Sequence, residues 1–297
     1  MKQQAKAILR QLTPPVFLSL GRMLLKALEK QFAIDPTVNA LKLKFERRTA
    51  KVCEDEIAVR ENLILKLHPD SRHAFEYFCY LSPAMVEEME SFIDLTRSRR
   101  RLLDIGALHG IFSLVFAATS PSKQAVAVDA SPIAFARLLY NIYKNKLPNI
   151  TPVECAMSDD SGVLRMHYEG EHAVAARTGG GDQKQLLVVK RTGDDLCREL
   201  QFQPDVVKID VEGHEVKIVR GLSQTVKSLK PLVFLELHPP LILEENDNID
   251  DLLQVFVNCG YGVSSTSGKP VSMGDVARFT DDQRLVFTPL GQRQGRR

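Results

Sequence analysis

Four acidic or imidazole side chains crowd one short stretch of this chain. In VVKIDVEGHE, an apolar run ends in Asp210, Glu212, His214 and Glu215 within six residues. A second apolar run, PLVFLELHPP, ends in Glu236 and His238. Residues two apart on a strand project to the same face, so Glu236 and His238 fall together, near Asp210 and Glu212 if the two strands are neighbours. Two chemistries are open to such a set. His238 could take a proton from a hydroxyl as its oxygen attacks. Alternatively, Asp210, Glu236 and His238 could ligate a divalent metal, and an oxygen-rich set with one imidazole suits Mg²⁺ or Mn²⁺. The plain alternatives are a hydrogen-bonded, silent His238 and carboxylates that favour a helix N-terminus, Glu215 above all.

A second stretch, RLLDIGALHGIFSLVFA, places Asp104, Gly106 and Gly110 between two apolar runs. Glycine admits unusual backbone angles and lets a ligand approach the main chain. The G-x-G-x-x-G spacing that cradles a pyrophosphate is absent. An acidic turn without it suits a ligand with a positive end and no phosphate, such as S-adenosylmethionine. Asp129 ends the next apolar run, 19 residues after Gly110, where a carboxylate can accept from both hydroxyls of an adenosine ribose. The same acid would serve NAD. His109, inside the turn, could contact substrate or cofactor or be a solvated loop residue.

These residues need elements to hold them. From about residue 100 the sequence alternates strand-like and helix-like stretches. RLLDI, QAVAVDA, NITPVECAM, DVVKIDVEG and PLVFLELHPP read as strands, with GVLRMHYEG as part of a hairpin. GIFSLVFAAT, SPIAFARLLYNIYKN, HEVKIVRGL and NIDDLLQVFVNCG read as helices, Ser131 and Pro132 opening the second and Gly221 ending the third. YGVSS and QRLVFTP close the chain as late strands, and ARTGGGDQKQ reads as a loop. The alternation predicts an α/β fold with a doubly wound, mostly parallel sheet and a late antiparallel strand. In such sheets ligands bind beyond the carboxyl ends of the strands, at the point where strand order reverses. Both candidate stretches end there.

In this order, LLDIGALHGIFS, VAVDASP, AMSDDSGVLRM, TGDDL, VVKIDVEGHEVKIVRGL and LVFLELH resemble the FkbM-type methyltransferases, over roughly Arg101 to His238. The resemblance implies a class I, Rossmann-like fold and transfer of a methyl group from S-adenosylmethionine to a hydroxyl of a sugar, glycan or secondary metabolite. It implies cofactor contacts from Asp104, Gly106, Ala107 and Gly110, from Asp129 and Ala130, and from Asp159 and Asp210. His238, Asp210 and Glu212 then face the acceptor. Leu108 stands where the family often has Asn, and Gly193 where it often has Leu. An NAD-dependent oxidoreductase and a non-catalytic binding protein of the same fold are the alternatives.

The remainder bounds the setting. Net charge is +2, which argues against a nucleic-acid partner, but residues 1–51 carry eleven Lys/Arg against three Asp/Glu. Phe17, Leu20, Leu24, Leu28 and Phe32 share one helical face there, opposite Arg22, Lys26 and Lys30. That pattern suits either packing on the protein's own core or peripheral contact with an anionic membrane. Residues 1–60 are therefore expected to form a basic, partly helical extension and 61–297 the methyltransferase domain. Five scattered cysteines and no apolar run near the roughly 18 residues of a membrane span suggest a cytoplasmic protein, peripheral to the inner membrane face if the arm binds lipid.

Overall fold

The structure is a computed structural model that describes residues 55–60, 63–169, 172–175 and 185–291. The basic arm and the glycine-rich stretch 176–184 lie outside the described residues. The fold opens with an antiparallel hairpin of β1 (Asp55–Arg60) and β2 (Leu63–Leu67). This hairpin spans the boundary at residue 60 that the sequence suggested for an extension. Helix α1 (Arg72–Glu76), a π-helical turn (Tyr77–Leu81) and α2 (Pro83–Leu95) follow.

The central sheet then begins. Strand β3 (Arg101–Ile105) leads through the glycine turn to α3 (Ile111–Ala118), then to β4 (Gln124–Asp129), α4 (Pro132–Asn145) and β5 (Ile150–Glu154). Ser131 accepts from the Ala134 N–H at 3.3 Å and Pro132 occupies the first turn of α4, as its sequence predicts. NITPVECAM is not one strand. It breaks at Cys155, and β6 (Ala156–Ser158) leaves for a second sheet. That sheet also contains β7 (Gly162–Glu169), β8 (His172–Ala175) and β9 (Gln185–Thr192), in the order β6-β9-β7-β8.

After α5 (Gly193–Glu199) the chain re-enters the central sheet as β10 (Val206–Ile209). Helices α6 (Glu215–Gly221) and α7 (Ser223–Leu229) connect to β11 (Leu232–Leu237), and α8 (Pro239–Glu244) and α9 (Ile249–Asn258) to β12 (Tyr261–Ser265). Short β13 (Pro270–Val271), α10 (Met273–Val276) and β14 (Gln283–Pro289) complete the described fold. The central order is β13-β12-β14-β11-β10-β3-β4-β5. Strands β5, β4, β3, β10 and β11 are mutually parallel, and β14 runs antiparallel to β11. This is the doubly wound, Rossmann-like arrangement, with its late antiparallel strand. The chain winds outward from β3 and then returns to β10 on its other side, so the switch point lies between β3 and β10. Separate apolar cores cover the two faces of the sheet.

Two glycines act through packing. A Cβ at Gly106 (φ +76°) would lie 1.8 Å from the Asp210 carbonyl oxygen, so the turn after β3 can abut the end of β10 only because no side chain intervenes. Gly221 ends its helix, as the sequence suggested, but it acts through packing. It is the last helical residue of α6, and a Cβ there would lie 2.1 Å from the Ser158 carbonyl oxygen. Substituting Gly221→Ala should lower stability by about 2 kcal/mol or more, because backbone must move. The matched change Gly268→Ala meets open space at φ +80° and should cost only backbone strain, about 1 kcal/mol. Urea midpoints at constant m-value distinguish the two.

Candidate functional site

A cavity of about 280 Å³ opens at the switch point, where β3, β4, β10 and β11 end. One wall is acidic: Asp129, Asp210, Glu212 and Glu236, with His238 beside them. Apolar lining comes from Met157, Leu164 and Met166 of the second sheet. Phe78 and Met85, from the π-helical turn and α2, complete it. Phe78 is fixed by an edge-to-face contact with Phe112, ring centroids 5.4 Å apart.

The acidic wall belongs to a loop of alternating acidic and basic groups that runs from Asp210 into the interior and back to His238. The Lys208 ammonium is fully buried, 3.2 Å from Asp210 Oδ2 and 3.1 Å from Glu88 Oε1. The other Glu88 oxygen meets Arg284 Nε at 3.2 Å. Arg284 also pairs with Glu236, whose Oε1 lies 3.8 Å from His238 Nε2. His238 Nδ1 is 2.6 Å from Glu215 Oε1. Seven groups on or directly after β10, α2, β14, β11 and α6 thus alternate between acid and base, each buried acid meeting a basic partner.

Burial and neighbours set their protonation. Burial opposes the His238 cation, but the hydrogen bond and charge of Glu215, then the charges of Glu236 and Asp210, outweigh it and raise its pKa to about 9. Burial, followed by the Asp210 charge, lifts Glu236 to about 8. Burial also works against ionised Asp210, yet Lys208 and His238 hold it below the usual carboxylate range. His238 is therefore a cation at neutral pH, and it becomes a base only as this arrangement loses its proton.

The residues singled out in the sequence separate into two groups. Gly106, Asp129, Ala130, Asp210, Glu212, Glu236 and His238 come together around the cavity. Asp104, Ala107, Gly110 and Asp159 are not among its lining. Asp104 is buried beneath the turn, accepting from Ser113 Oγ at 2.6 Å and Ser113 N at 3.1 Å; burial raises its pKa to about 6. Ala107 is also buried, its N–H spent on the Val128 carbonyl. A side chain at Gly110 (φ +86°) would strike Leu138 and Leu114, not a ligand. Asp159 faces Arg220, 3.8 Å away. His109 is likewise buried, against Arg137 at 3.3 Å. Glu215, read as a helix-terminus charge, instead orients His238.

The turn does not form a phosphate cradle. Gly106 and Ala107 donate to the Val128 carbonyl, and Leu108 N donates to Asp129 Oδ2 at 2.7 Å. Ser131 N meets the other Asp129 oxygen at 2.8 Å, so both oxygens are oriented by backbone. Leu108 holds its place at φ +48°, a conformation costly for a branched apolar residue. An acidic rim beside apolar lining fits the α-ammonium, sulfonium and adenine of S-adenosylmethionine better than a pyrophosphate. Asp210, Glu236 and His238 do bring ligand atoms within 4.8 Å of one another. Asp210 is already paired with Lys208 and Glu236 with Arg284, so a divalent ion would have to share both acids with a buried cation, and the set does not suit a resident divalent metal.

Three members of the buried network beside the cavity escaped sequence reading: Lys208, Glu88 and Arg284. Only Lys208 carries a visible signal, a lysine inside the apolar run VVKI.

Protonation also sets the pH response of the fold. His238 and Glu236 keep protons at pH values where the unfolded chain, with ordinary pKa near 6.5 and 4.5, has released them. The folded state then binds more protons, so stability falls as pH rises, by about 1.4 kcal/mol per pH unit for each retained proton. The His238 contribution is fully present below about pH 6.5 and is lost through about pH 9. Thermal melts of the wild type should decline across that window, and His238→Gln should flatten the decline.

Known proteins place these observations. The chain is 27% identical over 140 residues to hexuronic acid methyltransferase AglP of Haloferax volcanii, covering 46% of this chain and 55% of that protein. It is 23% identical over 176 residues to methyltransferase sdnD of Sordaria araneosa, covering 47% and 66%. The chain thus spans between about half and two thirds of these curated relatives. Among solved structures, methyltransferase FkbM from Methylobacillus flagellatus KT aligns with 89% of this chain and 57% of its own, at 15% identity and TM-score 0.44. The methyltransferase FkbM domain matches residues 104–263, which contain the glycine turn, the acidic wall and His238 and make up more than half of the chain. With the segments that prompted the resemblance all inside or bordering that match, the chain belongs to the FkbM methyltransferase family.

Proposed function

We propose that this protein transfers the methyl group of S-adenosylmethionine to a hydroxyl oxygen of a sugar, glycan or other small metabolite. The observation that carries the reading is the cavity at the switch point, whose acidic wall ends in the Glu215–His238 pair. Asp129 and Gly106 stand where the ribose and backbone side of the cofactor would lie, and Ala130 and Met157 offer apolar surface for its adenine. Bound there, the cofactor supplies a methyl group already activated on a sulfonium. The chain's own task is to orient the acceptor, exclude water and handle one proton.

That task falls to Asp210, Glu236 and His238. Asp210, held ionised by Lys208, accepts a hydrogen bond from the acceptor hydroxyl. Glu212 stands exposed at the rim, where it selects what enters. His238 takes the proton as a base once Nε2 is free of it, and Glu215 fixes the ring through Nδ1. A hexuronic acid methyltransferase among the relatives is consistent with a sugar acceptor. A glycan carried on lipid would also give the basic segment 1–51 a role at a membrane surface; no helix among the described residues is long and apolar enough to cross one.

Incubation with methyl-labelled S-adenosylmethionine and a panel of uronic acids and oligosaccharides should yield a product heavier by one methyl. The rate should rise with pH through the range in which His238 deprotonates, near 9. Glu215→Gln removes the charge that stabilises the imidazolium, so the rise should move to lower pH. His238→Ala should lower kcat and leave cofactor affinity near the wild-type value. A profile unmoved by Glu215→Gln, or normal turnover by His238→Ala, would remove His238 from the reaction.

A further inference from the structure

The buried ammonium of Lys208 explains why three carboxylates can face one another at the end of β10 and β11. It lies on the central strand, with its backbone paired to Asp104 on one side and Phe234 on the other, and has no solvent access. Its donors reach Glu88 at 3.1 Å and Asp210 at 3.2 Å, and the Phe112 ring covers it with its centroid 4.8 Å away. Glu236 adds its charge from β11, and Arg284 from β14 bridges Glu88 to Glu236. Asp104 faces Lys208 from β3, and His238, held by Glu215, faces Asp210 from the cavity side. An ammonium in this position does what a bound divalent cation does among carboxylates. It neutralises them and fixes the orientation of the Asp210 carboxylate. A metal ion placed between Asp210, Glu236 and His238 would share carboxylates with Lys208 and Arg284, and like charges that close in a poorly solvated site repel strongly.

Resting on the reading of this cavity as a methyl-transfer site, we propose that Lys208 is a built-in cation that stands in for a divalent metal and positions Asp210 toward the acceptor. Lys208 is thus a positioning residue, and Glu88, outside the matched family domain, is its anchor. The inference makes a gain-of-binding prediction that a purely structural lysine would not. Removing the ammonium leaves Asp210 and Glu88 without the cation they share, beside Glu236 and a space that His238 Nε2 adjoins, and a hard cation should then bind.

Electron paramagnetic resonance of MnCl₂ titrated into the full-length chain reads this without turnover. Wild type should leave the free-ion signal undiminished at millimolar manganese. Lys208→Gln should acquire one site at least about tenfold tighter than any wild-type binding, a step equal to about 1.4 kcal/mol. The double variant Lys208→Gln, Asp210→Asn should lose that site. One-to-one manganese binding by the wild type that Asp210→Asn abolishes would overturn the proposal, whether or not Lys208→Gln folds. So would a folded Lys208→Gln protein that gains no site. If the methyl-transfer reading fails, product is absent while this manganese pattern persists, so the two failures are distinguishable.

Discussion

A lysine ammonium on the central strand of a parallel sheet is the constraint around which the cavity is organised. Such a charge is tolerable only if carboxylates reach it from several directions. Asp210 is supplied by the same strand, two residues on. Glu88 must come from elsewhere, and it comes from α2, which therefore docks over the sheet end. Docking α2 brings Met85 to the cavity, and the preceding turn brings Phe78. Glu88 in turn needs Arg284, which lies on the antiparallel β14, whose register places Arg284 opposite Glu236. One buried charge thus ties the segment before the family domain, the switch point and the last strand into a single site.

The energetics of the arrangement follow from its alternation. Replacing an entire buried ion network by apolar residues can be nearly neutral, whereas removing one partner strands the others and typically costs about 3–5 kcal/mol. Interior members such as Lys208 and Glu88 are therefore the most sensitive positions. Asp210 and His238 are the members of this rigid network that reach the cavity, so on the proposed reading they are the ones that meet a ligand. Preorganised charge of this kind needs no rearrangement when an acceptor arrives.

Much of this was legible in the sequence. The succession of strands along the chain could be anticipated from RLLDI to PLVFLELHPP because each strand is a short apolar run stopped by a turn signal or an acid. Asp129, Asp210, Glu236 and His238 were found because acids and histidine at strand ends are conspicuous. Other features depend on distant partners. Asp104 looks like a ligand group until Ser113, nine residues on, is seen to satisfy it. Gly110 looks like a ligand-approach glycine until Leu138 is seen packed against it. Glu88 and Arg284 are ordinary surface residue types in their own segments, and only the crossing of α2 and β14 at the sheet end gives them a role. The break at Cys155 was hidden because NITPVECAM is uniformly strand-like, although its two halves join different sheets.

On the proposed reading, the acidic wall at the switch point faces the reacting end of the cofactor. A crystal structure with S-adenosylhomocysteine bound tests this most directly. Ribose hydroxyls are expected on Asp129, adenine against Ala130 and Met157, and the sulfur opening toward Asp210, Glu236 and His238. Density for the cofactor elsewhere, or a sulfur turned away from those three residues, would contradict it.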